Sequence, residues 1–166
     1  MLRRLRATAP VGLVPLAWVF ATAAHVGAIS DRTVLIGHLV MTALLAAFAV
    51  LSADEMRRHP VLRAWLGVIV AGVGVTLAGA YGVATGETGA ARFAVAGWML
   101  LPTMALAYTG SMLPREERAR LYLVAAVASG AGAALLLGGV GPVSLALGLT
   151  GAGQTLGIAT AVAVYE

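Results

Sequence analysis

His25 and His38 are the residues whose type and spacing best suit them to hold a ligand. Imidazole is the commonest protein metal ligand and titrates near neutral pH. The two flank a short polar stretch, Ser30-Asp31-Arg32, between two apolar runs. If both runs are membrane helices, His25 stands about four residues before the end of the first, and His38 about five after the start of the second. At a rise of 1.5 Å per residue, each lies roughly 6–8 Å below the same surface. Two imidazoles at one depth on antiparallel neighbours can ligate a b-type haem axially or share a metal ion. Arg32 and Arg92 fall on that side, where haem propionates need partners, and Tyr81 lies at a depth from which it can hydrogen-bond a quinone. Thr22 and Thr42, near His25 and His38 at helical spacing, give each face some polar character. The alternative is that each histidine faces its own helix neighbours or the interface. His59, before Pro60 in an arginine-bearing loop, reads as solvated.

Gln154 is the second candidate. It falls near the middle of the last apolar run, and an amide in hydrocarbon must find partners. Together with Thr76 and Thr155 it can contact a substrate or ion at the midplane. Alternatively it makes an interhelical hydrogen bond to a backbone carbonyl or to a threonine such as Thr76.

Other chemistry lacks its residues. Cys is absent, which removes disulfides, thiolate metal sites and cysteine nucleophiles. No carboxylate lies within an apolar run, so the usual Asp/Glu proton relay is missing. There is no Ser-His pair with an orienting acid, no His-Glu-x-x-His and no phosphate-binding loop. Gly151-Ala-Gly-Gln-Thr-Leu-Gly157 imitates a dinucleotide fingerprint, but no strand precedes it. No catalytic residue is expected, and the reading leans away from an enzyme.

The elements that must position these residues follow from composition. Sixty per cent hydrophobic against 11% charged residues, with a mean hydropathy of +0.93, marks an integral membrane protein. Its 166 residues have room for a single membrane domain. A span needs about 20 mostly apolar residues to cross about 30 Å of hydrocarbon. Six stretches qualify, at 11–29, 33–52, 62–84, 91–112, 121–138 and 142–164, which predicts an all-α six-helix bundle. The last two are separated at Gly138-Gly-Val-Gly-Pro142, because Gly permits φ > 0 and Pro cannot extend a helix before it. One long tilted helix in their place is the five-span alternative.

All eleven basic residues are arginine. Nine (Arg3, Arg4, Arg6, Arg57, Arg58, Arg63, Arg115, Arg118 and Arg120) fall on one side of the six-span scheme, and only Arg32 and Arg92 on the other. By the positive-inside rule both termini are cytoplasmic, in a multi-pass protein of a prokaryotic plasma membrane. The same distribution explains the net charge of +4 without nucleic-acid binding. The charged clusters Asp54, Glu55, Arg57, Arg58 and Glu116, Glu117, Arg118, Arg120 read as solvated loops. The first run also resembles a secretory signal peptide, with Ala21-Thr-Ala23 as a cleavage site. Counting it as a span is what makes the arginines alternate, and that favours a retained helix.

The chain also echoes itself. Ala71-Gly-Val-Gly-Val-Thr-Leu-Ala-Gly-Ala80 matches Thr150-Gly-Ala-Gly-Gln-Thr-Leu-Gly-Ile-Ala159 at five of ten positions, and Trp18 and Trp98 stand at nearly the same offset. Three spans per copy imply an inverted repeat with halves 11–84 and 91–164, although spans 2 and 5 fall out of register. The small-xxx-small patterns Gly74/Ala78 and Gly153/Gly157 predict that spans 3 and 6 form the closely packed central pair. Pro15 and Pro102 interrupt spans 1 and 4.

The expected function is that of a non-catalytic membrane module. It is either a small carrier or channel for a neutral solute, without a cofactor, or an accessory subunit of a membrane complex or homo-oligomer. The alternative is a redox protein with haem b or quinone near His25, His38 and Tyr81.

Overall fold

The computed structural model describes residues 2–114 and 118–165, with side chains from 11 to 163 within those ranges. Arg115, Glu116 and Glu117, and the side chains of Arg3, Arg4 and Arg6, lie outside the described residues. The described residues form six α-helices and no strand: α1 Leu2–His25, α2 Asp31–Met56, α3 Pro60–Thr85, α4 Thr88–Met112, α5 Ala119–Gly138 and α6 Val143–Tyr165. Helix is the expected outcome despite the glycine content, because a backbone in lipid must satisfy its own N–H and C=O groups. Helices α2 to α6 are long and apolar enough to cross a membrane, while the apolar run of α1, Val11–His25, is shorter.

The helix ends have local causes. Ser30 caps α2 by accepting the Thr33 N–H (3.3 Å). His59 is held extended by the proline after it, and Pro60 opens α3 at a position that needs no N–H. Gly86 ends α3 in the left-handed region (φ 74°). Gly139 (φ 63°) and Gly141 (φ 73°) turn the chain sharply between α5 and α6. That turn excludes the single long helix of the five-span alternative.

Helices adjacent in sequence pack together from α2 through α6, α6 also makes a lesser contact with α4, and α1 docks on α6. Although joined to α2 by residues 26–30 alone, α1 barely touches it; their close approach is the Phe20 ring over Gly37. One core cluster gathers Met99, Ala133, Ala146 and Leu147 with Trp18 packed against them. A second gathers Leu106, Tyr122, Ala125 and Ala126 with Trp65 and Leu156. Only Val34 and Met56 of α2 are buried, and its outward Leu44, Val50 and Leu51 form an apolar surface suited to lipid.

Spans 3 and 6 are not the packed pair that the sequence predicts. The close seam joins α5 and α6. A Cβ at Gly153 would lie 2.6 Å from both the Ala125 carbonyl oxygen and the Ser129 nitrogen, and Gly132 sits against Ala146 and Thr150. Gly157 meets Leu106 of α4, and Gly74 faces open space. A small-residue stripe shows that a helix has a face for close approach; it does not name the partner.

Candidate functional site

Two tryptophans define the polar centre. The Trp98 ring of α4 lies over Gly72 of α3, where a Cβ would come within 2.6 Å of it. Its Nε1–H donates to Thr76 Oγ1 at 3.1 Å. The Trp18 side chain of α1 lies over Gly151 of α6, where a Cβ would come within 2.9 Å of the Trp18 Cβ and 3.0 Å of the ring. Its Nε1–H donates to Gln154 Oε1 at 3.0 Å. Each tryptophan therefore rests on the glycine that echoes the other's seat, and each places its N–H on the helix that carries that glycine.

Gln154 joins the two arms. Its Nε2 donates to the Trp98 carbonyl (3.0 Å) and to Ser129 Oγ (3.3 Å). The first of these bonds has a covalent origin. Pro102 lacks an N–H, so the carbonyl four residues earlier, that of Trp98, has no partner in its own helix. The Gln154 amide supplies one. Thr103 donates to the Met99 carbonyl (2.6 Å), so the 2.6 Å contact between Thr103 and Ser129 uses the Ser129 proton. Thr150 donates to the Ser129 carbonyl (3.2 Å). Gln154, Ser129, Thr150 and Thr76 are buried, and each is satisfied within the protein. Of the two interhelical partners expected for Gln154 it bonds a backbone carbonyl, and its other partners are Trp18 and Ser129 rather than Thr76.

Thr155 differs. Its Oγ1 is buried and has no hydrogen-bond partner among the described residues. Its echo, Thr76, donates to the Gly72 carbonyl (2.7 Å) and accepts from Trp98. An unpaired buried hydroxyl costs about 1–3 kcal/mol. Thr155→Val is therefore expected to hold or raise the unfolding temperature in detergent, whereas Thr76→Val is expected to lower stability by about 1 kcal/mol through the orphaned Trp98 N–H. Equal losses in the two variants would contradict this assignment.

At the other candidate site, His38 Nδ1 lies 2.9 Å from the Val34 carbonyl. A carbonyl can only accept, so Nδ1 carries a proton and donates it to Val34. The ring lies against Gly79 of α3, where a Cβ would come within 2.5 Å of Nε2, with the Ala94 methyl beside it. His25 ends α1 with its side chain exposed, and Tyr81 is exposed on α3. No hydrogen bond or ring contact links these three side chains. No group of three or more His, Cys, Asp or Glu that could hold a metal gathers among the described residues. The hydroxyls of Thr22 and Thr42 bond the Trp18 and His38 carbonyls of their own helices, so neither lends its face a free polar group.

Ser129, Thr150 and Thr103 were not singled out in the sequence. The accessible signal was Pro102, whose orphaned carbonyl four residues back requires a donor from another helix. The chain matches no protein-family model, no curated protein and no solved structure.

Proposed function

We propose that this chain is a small carrier- or channel-like membrane module of two inverted halves, 11–84 and 91–164, which passes a neutral polar solute at the level of Gln154. Reciprocity is the observation that carries the reading: Trp98 rests on Gly72 and Trp18 on Gly151, as a twofold axis in the membrane plane requires. The halves are also packed unequally. α4 and α5 are seamed together, whereas α1 and α2, their counterparts, barely meet. In an inverted repeat such inequality opens a path on one side, and exchange of the two arrangements opens it on the other. An amide among hydroxyls suits a solute that exchanges hydrogen bonds, and the absence of an intramembrane carboxylate fits a neutral one. The arginine distribution supports cytoplasmic termini in a prokaryotic plasma membrane.

Swelling of proteoliposomes in glycerol or urea tests this reading. Flux is expected to exceed that of empty liposomes, to fall at least about tenfold in Gln154→Leu and to persist in Gly74→Ala, which enters open space. Flux no greater than in empty liposomes would remove the carrier reading in favour of an accessory subunit of a membrane complex or a homo-oligomer.

A second reading rests on His38. A backbone carbonyl that holds the Nδ1 proton leaves Nε2 as the ring nitrogen that can ligate iron. Haem b, or a quinone, held among His25, His38 and Tyr81 would require the His38 ring to leave Gly79 and α1 to close on α2. Its signature is a Soret band in the purified protein that His38→Ala abolishes; a colourless protein argues against haem.

A further inference from the structure

We infer that the groove between α3 and α4 seats an acyl chain of an anionic phospholipid whose phosphate is held by Arg63. The groove is open on one side, encloses about 300 Å³ and is lined mainly by apolar atoms of Ala64, Gly67, Leu101, Met104, Ala105 and Tyr108. It begins about one helical turn inside Pro60 and Met112 and runs toward the middle of the bundle. In a bilayer, hydrocarbon is the material available to fill a slot of this kind.

Charge selects the headgroup. The groove lies nearer the end of the bundle that carries Arg57, Arg58, Arg63, Arg118 and Arg120, against Asp54 and Glu55 among the described acids. Arg63 precedes Ala64 and lies one turn before Gly67, on the flank of the groove. Its side chain is exposed, and no ion pair or side-chain hydrogen bond engages it among the described residues. Trp65 is committed elsewhere, donating to Thr109 at 3.1 Å. The half-exposed Tyr108 ring lies near the mouth, at the depth where aromatic residues favour the interface. Basic positions beside a slot between membrane helices favour an anionic head. A second copy of the chain is disfavoured as occupant, because two copies inserted in one orientation would set their arginine-rich ends side by side.

The test uses delipidated protein in mild detergent, with phosphatidylglycerol and phosphatidylcholine of identical chains added in turn. Phosphatidylglycerol is expected to raise the unfolding temperature saturably, by roughly 4–8 °C, and phosphatidylcholine by much less. Arg63→Gln should reduce the first response to the level of the second. Gly67→Phe fills the groove from a position where a Cβ meets nothing within 4 Å, so it should fold and lose both responses. Native mass spectrometry should count one phosphatidylglycerol retained by the parent chain and none by Gly67→Phe. Equal responses to the two lipids, retention of the lipid by Gly67→Phe, or a lipid-insensitive dimer that Gly67→Phe disperses would each overturn the assignment.

Discussion

Gly132→Leu is expected to force α5 from α6 and to destabilise the protein by at least about 3 kcal/mol, or roughly 6–12 °C in unfolding temperature. A Cβ at this position would meet the Ala146 carbonyl and the Thr150 hydroxyl and would lie 2.8 Å from the Thr150 nitrogen. Two of those three groups are backbone and cannot rotate away, so relief requires one helix to move. Gly153→Leu presses from the other side of the seam, against Ala125 and Ser129, and should behave alike. Gly74→Leu and Gly148→Leu are the controls. Both positions face open space, so changes within about 0.5 kcal/mol are expected. Thermal unfolding in detergent, followed by far-ultraviolet circular dichroism, checks the contrast. A Gly74→Leu loss as large as that of Gly132→Leu would restore the α3–α6 pairing and remove the α5–α6 seam.

Gln154→Leu is expected to lose three hydrogen bonds and to leave the Trp98 carbonyl and the Trp18 N–H unpaired inside the bundle. Interhelical hydrogen bonds in membranes average about 0.6 kcal/mol and reach about 1.7. The orphaned groups add to that loss, so a total of about 2–4 kcal/mol is expected. A second substitution separates the carbonyl from the rest. Pro102→Ala restores an N–H that the Trp98 carbonyl can accept within its own helix. In the parent chain this exchange removes buried proline atoms and should destabilise. In Gln154→Leu it should cost less, or even stabilise, because it gives the orphaned carbonyl its ladder bond. A four-corner cycle should show a coupling of about 1 kcal/mol of the compensating sign. Zero coupling would mean that the Gln154–Trp98 bond contributes nothing and that Gln154 acts only through Trp18 and Ser129.

Helix limits were legible in part. The glycine turn before Pro142 acts through backbone torsions that depend on local sequence alone, whereas Pro60 and Gly86, which bound α3, were not read as its limits. The landmarks Trp18, Trp98, Gly72 and Gly151 were visible as an echo, and they are contact partners, each tryptophan on the glycine of the other half. Helix rotation was less legible. In water an apolar stripe marks the buried face; in lipid both the outward and the inward faces are apolar, and the stripe fades. The partner of α6 and the direction of His38 depend on that rotation, which is why the expected α3–α6 pair gave way to α5–α6 and why His38 lies on Gly79. Gln154 was recognisable as a residue in need of partners, but Ser129 and Thr150 are small hydroxyls in long apolar runs. Nothing local distinguishes them from surface serine or threonine bonded to its own helix.

The docking of α1 on α6 has a consequence for the birth of the protein. α1 is made before the helix that receives it, and the Trp18–Gln154 bond joins residues 136 apart. At roughly 5–20 residues per second of synthesis, α1 waits roughly 7–27 s for its partner. During that time α2 offers it little more than the contact of Phe20 with Gly37. The nascent first helix must therefore linger at the edge of the growing bundle, with the Trp18 N–H unclaimed, while α2 to α5 assemble in order. The arrival of α6 locks α1 in place. A chain stalled before Val143 would hold α2 to α5 together and leave α1 without its dock.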